Sequence, residues 1–293
     1  TVMNYRQLYY FVTIVESGNI TAAAKKLELS QPPLSKQIMA LEEELGIKLM
    51  ERSSRKITLT DAGFLMYQRA KSIISMMETT ADEMTHFEQN QQGVLRLGTI
   101  SSCGSSLLKD CLVEFCALYP HVTFEICEDN TYELLEKLKK GMIETAIVRT
   151  PFNSDGFECI YGKEEPLVAV GKSELFPKNG KETISLEELS DLPLNYYRRF
   201  EHIILPAFQN RGLTPNFFCK SDDARTPLMW AQAGLGVAVV PRSICQLFAS
   251  DGLTVVKTID CGEFLTKMAA VYKKDGYISK IGRTFVTFWG KRN

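Results

Sequence analysis

This chain lacks the features that would mark a stapled, metal-bound or membrane-spanning protein. It has eight cysteines, at Cys103, Cys111, Cys116, Cys127, Cys159, Cys219, Cys245 and Cys261. None forms a C-x-x-C pair or stands at zinc-ligand spacing from a histidine. The three histidines, His86, His121 and His202, lie too far apart in sequence to suggest a metal site. Reduced thiols in a cytoplasmic protein are the expectation, mostly buried as small hydrophobes, and no cofactor is expected. No apolar run approaches the roughly 18 residues needed to cross a membrane, so no membrane partner is expected. Thr1 to Tyr10 carries one charge and no apolar core, which is not the pattern of a signal peptide.

Charge of one sign is lacking too. The 34 basic residues face 35 acidic ones, for a net charge of -1. That excludes a uniformly basic coat for nucleic acid and leaves a local basic patch open. Nucleotide and hydrolase signatures are missing: there is no P-loop, G-x-S-x-G or H-E-x-x-H, and Gly234-Leu235-Gly236 lacks the third glycine of a dinucleotide fingerprint. The acidic pairs Glu164-Glu165 and Asp222-Asp223 are adjacent, so on a strand their side chains would point oppositely. An α/β enzyme is therefore not expected. With 293 residues, 45% hydrophobic and 24% charged, the chain has the texture of a soluble protein of two or three units.

What is present begins with closely punctuated helices. Leu8, Phe11, Val12 and Val15 repeat at helical spacing and stop near Gly18. A short helix starts at Thr21 and carries Ala23, Ala24 and Leu27, with a turn at Glu28-Leu29. Ser30 suits the N-cap of a third helix, and Pro32 and Pro33 fit only its first turn. Leu34, Ile38 and Leu41 form its inner face and Gly46 ends it. Leu49 to Leu59 reads as two short strands around a basic turn, a wing. Asp61 to Gln91 is one long helical candidate. Ala70, Met77 and Met84 recur every seven residues, as do Ile73, Thr80 and Phe87, at spacings of three and four that mark a dimerisation seam. A helix packed on its own domain is the alternative. From Gly93 onward strands and helices alternate, which implies a mostly parallel sheet with helices on its faces.

Asn19 to Ser53 is thus a pair of helices with a wing. The second helix turns Gln31, Ser35, Lys36 and Gln37 outward. Glutamine can bond bidentately to adenine edges, lysine reaches guanine or phosphate, and Arg52, Arg55 and Lys56 would neutralise flanking phosphates. The block closely resembles the winged helix-turn-helix of LysR-type transcriptional regulators. The resemblance rests on A-A at 23–24, S-Q-P at 30–32, L-S-x-Q-I at 34–38, L-E-x-x-L-G at 41–46 and E-R at 51–52. Met50 and Pro33 stand where family members often have Phe and Ala. By this resemblance Thr21, Ser30, Gln31, Pro32, Ser35, Lys36, Gln37, Arg52, Arg55 and Lys56 are the expected DNA-binding set.

The resemblance spans the whole chain and implies an α/β fold with three parts. Residues 3–60 would be the winged helix-turn-helix and 61–92 a long linker and dimerisation helix. Residues 93–293 would form a two-lobed regulatory domain shaped like a periplasmic binding protein. Its lobes would comprise 93–163 with 267–293, and 164–266. A small effector would sit between them, and homodimers, assembling into tetramers, would bind double-stranded, pseudo-palindromic operators.

The loop Ser101-Ser102-Cys103-Gly104-Ser105-Ser106 follows a strand and opens a helix, so it could hold an anion; simple capping by Ser105 or Ser106 is the alternative. Arg149 ends an apolar strand and would need a carboxylate partner, from an effector or from Glu128 or Asp129. Tyr197, Arg198 and Thr226 complete the expected effector set, and an anionic, carboxylate-type effector is the reading. A second reading is thiol sensing at Cys103, beside a helix N-terminus that could lower its pKa. The family includes peroxide sensors, but nothing here matches their cysteine pair.

Overall fold

The computed structural model describes residues 3–52, 57–86, 93–103, 107–247 and 254–292. Two compact units divide at residues 88 and 89. In the first, α1 (Tyr5–Ser17), α2 (Ile20–Lys26) and α3 (Gln31–Leu45) are followed by a two-stranded antiparallel ribbon, β1 (Met50–Arg52) with β2 (Ile57–Leu59). The long helix α4 (Asp61–His86) completes the unit. Asn4 starts α1 with a full capping box, its side chain bonding Gln7 and Gln7 bonding back. Gly18 and Gly46 end α1 and α3 in the left-handed region, where a missing Cβ removes the steric penalty. Leu8, Phe11, Leu34, Ile38 and Leu41 fill the core beneath them.

Helix α4 packs against α1, which corrects one part of the expected seam. Ala70 is fully buried and, with Ile74, belongs to the core of its own unit, so it has no surface to offer a partner chain. Tyr67 donates to Glu16 of α1, and Lys71 lies 3.6 Å from the same carboxylate. Gly63 brings the start of α4 against the Leu49 carbonyl, where a Cβ would stand 1.8 Å from the oxygen. The remaining seam positions stay open: Ile73 is 38% exposed, Met77 49% and Met84 59%. Phe87 lies outside the described residues.

The second unit has two hydrophobic clusters on one continuous run of sheet. The first lobe holds β3 (Val94–Thr99), α5 (Val113–Leu118), β4 (Thr123–Glu128), α6 (Thr131–Lys139) and β5 (Thr145–Arg149). The helix expected from Leu107 begins as a wider π turn over Leu108–Leu112. Strand β6 (Phe157–Lys172) then runs from one lobe into the other. The second lobe adds β7 (Thr183–Ile184), α7 (Leu186–Ser190), β8 (Leu194–Tyr197), α8 (Glu201–Gln209), β9 (Phe217–Ser221), α9 (Arg225–Gln232), β10 (Val237–Pro241) and β11 (Thr254–Ile259). Strand β12 (Leu265–Lys273) and helix α10 (Lys280–Arg292) return to the first lobe.

The sheet is mixed rather than mostly parallel. Strands β3, β4 and β5 pair in parallel, as do β8 with β9 and β10, while β12 and β6 run antiparallel to their neighbours. The reason is topological. Two strands carry the chain between lobes, β6 outward and β12 back, so they run opposite to each other, and both pair antiparallel with their other neighbours.

Candidate functional site

The DNA-reading candidates sit on α2, α3 and the ribbon. Asn19 caps α2 by accepting from the Ala22 amide at 2.7 Å, and Ala23 and Ala24 are buried, which lets α2 and α3 approach closely. Glu28 takes a positive φ of 55° in the turn between them. Thr21, Ser30, Gln31, Pro32 and Lys36 are exposed, and Ser35 and Gln37 are half-buried on the same helix. Ser30 does occupy the N-cap of α3, but its hydroxyl makes no capping bond. Both prolines fall in the first turn, removing two of the amides a cap would serve. Arg52 ends β1, whereas Arg55 and Lys56 lie outside the described residues.

Sequence reasoning missed the role of Glu42. Its carboxylate accepts from the amides of Leu49 at 2.8 Å and Met50 at 3.2 Å, tying the start of the ribbon to the reading helix. The L-E-x-x-L-G motif carried the signal, since a glutamate on a half-buried face needs donors.

In the second unit, strand ends from both lobes meet, as open α/β sheets arrange their crevices. Arg149 ends β5 and is completely buried, and here the expected vacancy for a ligand is already filled. Its guanidinium donates to Glu165, to Ser243 Oγ at 3.1 Å, and to Ser102 Oγ and the Ser102 carbonyl at 3.2 and 3.3 Å. Glu165 is further held by the Ser243 amide at 2.7 Å. Neither expected internal partner is used: Glu128 pairs with Arg225 and Asp129 with Lys137. Arg149 and Ser102 thus bond each other, with Glu165 and Ser243 sharing the Arg149 charge. Ser101 links the lobes, its Oγ accepting from the Ala224 amide at 3.2 Å.

A cavity of about 750 Å³ opens between the start of α6 and the loop from β8 into α8. Tyr197 and Arg198 line it among the expected set, while Ser101, Ser102, Arg149 and Thr226 do not. Arg198 is exposed and spent on Asp222 at 2.7 Å. The acid Glu201 is likewise engaged, with Lys220 and with the Tyr196 hydroxyl at 2.8 Å. The residue that stands out is Arg199. It donates to the carbonyls of Arg149 and Pro151, the latter at 2.9 Å, and lies 5.4 Å from the Tyr132 ring centre. Its Nε is buried without a partner, and among the described residues no carboxylate forms an ion pair with it. Burial holds its pKa below the usual guanidinium range, with the Arg149 charge pushing the same way. At the adjoining helix start, Asn130 caps α6, and the Thr131 hydroxyl is buried and unpartnered.

The thiol reading fares poorly. Cys103 is buried, donates to the Ile100 carbonyl at 3.2 Å, and its pKa is pushed up to about 11 by that burial. A thiol held protonated is a weak nucleophile, the opposite of a sensor cysteine.

Residues 5–64 match the family model described as bacterial regulatory helix-turn-helix protein, lysR family, and residues 88–292 match that of the LysR substrate binding domain. The HTH-type transcriptional regulator BsdA of Bacillus subtilis is 30% identical over 290 residues, covering 97% of this chain and 99% of its own. BenM of Acinetobacter baylyi, also an HTH-type transcriptional regulator, is 31% identical over 247 residues, 82% of this chain and 81% of its own. Full-length CbnR, solved in complex with its target DNA, superposes with a TM-score of 0.83 at 26% identity, over 99% of this chain and 100% of that one.

Proposed function

Because this chain belongs to the LysR family of helix-turn-helix transcriptional regulators, we propose that a small carboxylate effector, held by Arg199 in the cavity between the lobes, controls its reading of DNA. It is a DNA-binding regulator with an effector-binding domain, not an enzyme. One observation carries the effector class: Arg199 is a half-buried cation with an orphaned, buried Nε whose neighbours are carbonyls and a ring, and among the described residues no acid lies within ion-pair distance of it. A carboxylate would supply the bidentate charge and engage the orphaned Nε. Asn130 and Tyr132, at the start of α6, line the same cavity.

The exposed Ile73, Met77 and Met84 on α4 support a homodimer, and paired readers suit a pseudo-palindromic operator. A tetramer built from such dimers and a cytoplasmic setting remain part of the proposal. Effector binding then acts by favouring one conformation over another, to the extent of its differential affinity.

The test is a thermal-shift screen of the full chain against aliphatic and aromatic mono- and dicarboxylates, followed by operator binding with the best ligand. Arg199→Ala should remove the effector response while operator affinity stays within about threefold, roughly 0.7 kcal/mol. Arg199→Lys should largely fail too, since a point charge does not replace the fork. An Arg199→Ala chain that keeps its full effector response overturns the assignment.

A further inference from the structure

The charges around the Arg199 cavity do not stand in equal condition. Two arginines and two acids line it: Arg198, Arg199, Glu201 and Asp222. Arg198 is matched by Asp222 at 2.7 Å. Glu201, at the start of α8, is matched by Lys220. The bonds from Lys220 and from the Tyr196 hydroxyl hold the Glu201 carboxyl below the usual carboxylate range, so it stays ionised. Arg199 is the remainder. Its Nε is buried without a partner, and its bonds go to the carbonyls of Arg149 and Pro151. Over the cavity wall the matched groups cancel and one positive charge is left. One carboxylate on a ligand balances it.

A second carboxylate on the same ligand has no such place. To bond Arg198 it must displace Asp222, and along the start of α8 it meets Glu201. Like charges set against a competing ligand are a direct source of discrimination. The rest of the wall is of another kind. Tyr132, Tyr197, Leu205 and Pro206 line it, with Tyr197 buried and Leu205 half-buried. Such surfaces gain from covering an apolar body and lose by desolvating a charged one.

We propose that this cavity selects a monocarboxylic acid with an apolar body, and that Glu201 and Asp222 reject a second carboxylate on the ligand. The selectivity rests on the assignment of Arg199 as the carboxylate anchor. Arg199 takes the acid group, the tyrosines with Leu205 and Pro206 cover the body, and the two acids set which ligands are refused. Glu201 and Asp222 are thus specificity-determining residues that make no bond to the preferred ligand.

Isothermal titration of the full chain with matched pairs of acids tests this. The pairs are hexanoate with adipate and benzoate with terephthalate. The buffer is held near about pH 8, where an exposed imidazole such as that of His202 adds little charge. Each monocarboxylate should bind at least about tenfold more tightly than its dicarboxylate. The double substitution E201Q with D222N should lower that preference by about tenfold. D222N alone should lower it in the same direction, and this side chain is 77% exposed, so the thermal midpoint should not move. Adipate binding as tightly as hexanoate, with both lost in Arg199→Ala, overturns the selectivity and leaves the Arg199 anchor standing. A preference left unchanged by both acid substitutions overturns it too. Failure of both monocarboxylates to bind the native chain, or equal binding after Arg199→Ala, overturns the anchor and the selectivity with it.

Discussion

Removing the Arg149 guanidinium would strand the Glu165 carboxylate among groups chosen to share its charge. Arg149 is fully enclosed, and Glu165 is only 16% exposed. Arg149→Ala should cost about 3 kcal/mol, the scale for breaking a buried pair from one side. It should lower the melting temperature accordingly while leaving carboxylate binding at Arg199 measurable at low temperature. A melting curve that coincides with that of the native chain would refute this structural role. Arg199 differs from Arg149 in its surroundings rather than in its sequence signal. Both stand at strand ends, Arg149 closing β5 and Arg199 just past β8, yet one pairs with Glu165 and the other donates to carbonyls beside the Tyr132 ring. No local pattern separates them, because Glu165 and Ser243 reach Arg149 from 16 and 94 positions away.

Helix α4 shows how one element can serve two partners. Its spacing of three and four produces a face toward α1, where Ala70 and Ile74 are buried, and a second apolar set left outward at Ile73, Met76 and Met77. Ile73→Glu with Met77→Glu should convert the dimer to monomer in light scattering and remove operator binding, since a single reader engages only one half-site. The same double variant should keep its own helical signal, because neither side chain belongs to the core of the unit. A dimer of unchanged mass would move the interface away from this face. The reading helix α3 was legible in nearly every detail, from its proline-marked start to Gly46. The exception was the Ser30 hydroxyl, for which the prolines leave little to cap.

At the scale of the whole regulatory unit, the lobes are joined by continuous strands and latched by a few polar contacts. Arg225 of the second lobe grips Glu128 of the first, Ser101 accepts from the Ala224 amide, and Arg199 donates to the Pro151 carbonyl. The Arg225–Glu128 pair is over 40% exposed on each side, so its contribution to global stability should be below about 1 kcal/mol. Its effect should instead be local. Glu128→Gln should leave the melting temperature nearly unchanged and speed hydrogen exchange of the amides near Ala224 and Arg225 by up to about fivefold, the equivalent of about 1 kcal/mol of local opening. Unaltered protection there would mean that the latch does not hold the lobes together.

Sequence alone determined the architecture of this protein wherever structure follows from neighbours along the chain. The helix-turn-helix, the long α4 and the alternating second unit rest on hydrophobic period, prolines and glycines, whose effects act within a turn or two. Only tertiary structure decided the chemistry of the cleft. Whether an arginine is neutralised or waiting for a ligand depends on groups such as Glu165 and Ser243, 16 and 94 positions from Arg149, brought in by the fold. The same holds for the thiol at Cys103, which a helix start would make acidic in isolation and which burial makes inert. Charge balance is a property of a volume, and the sequence specifies that volume only after the chain has folded.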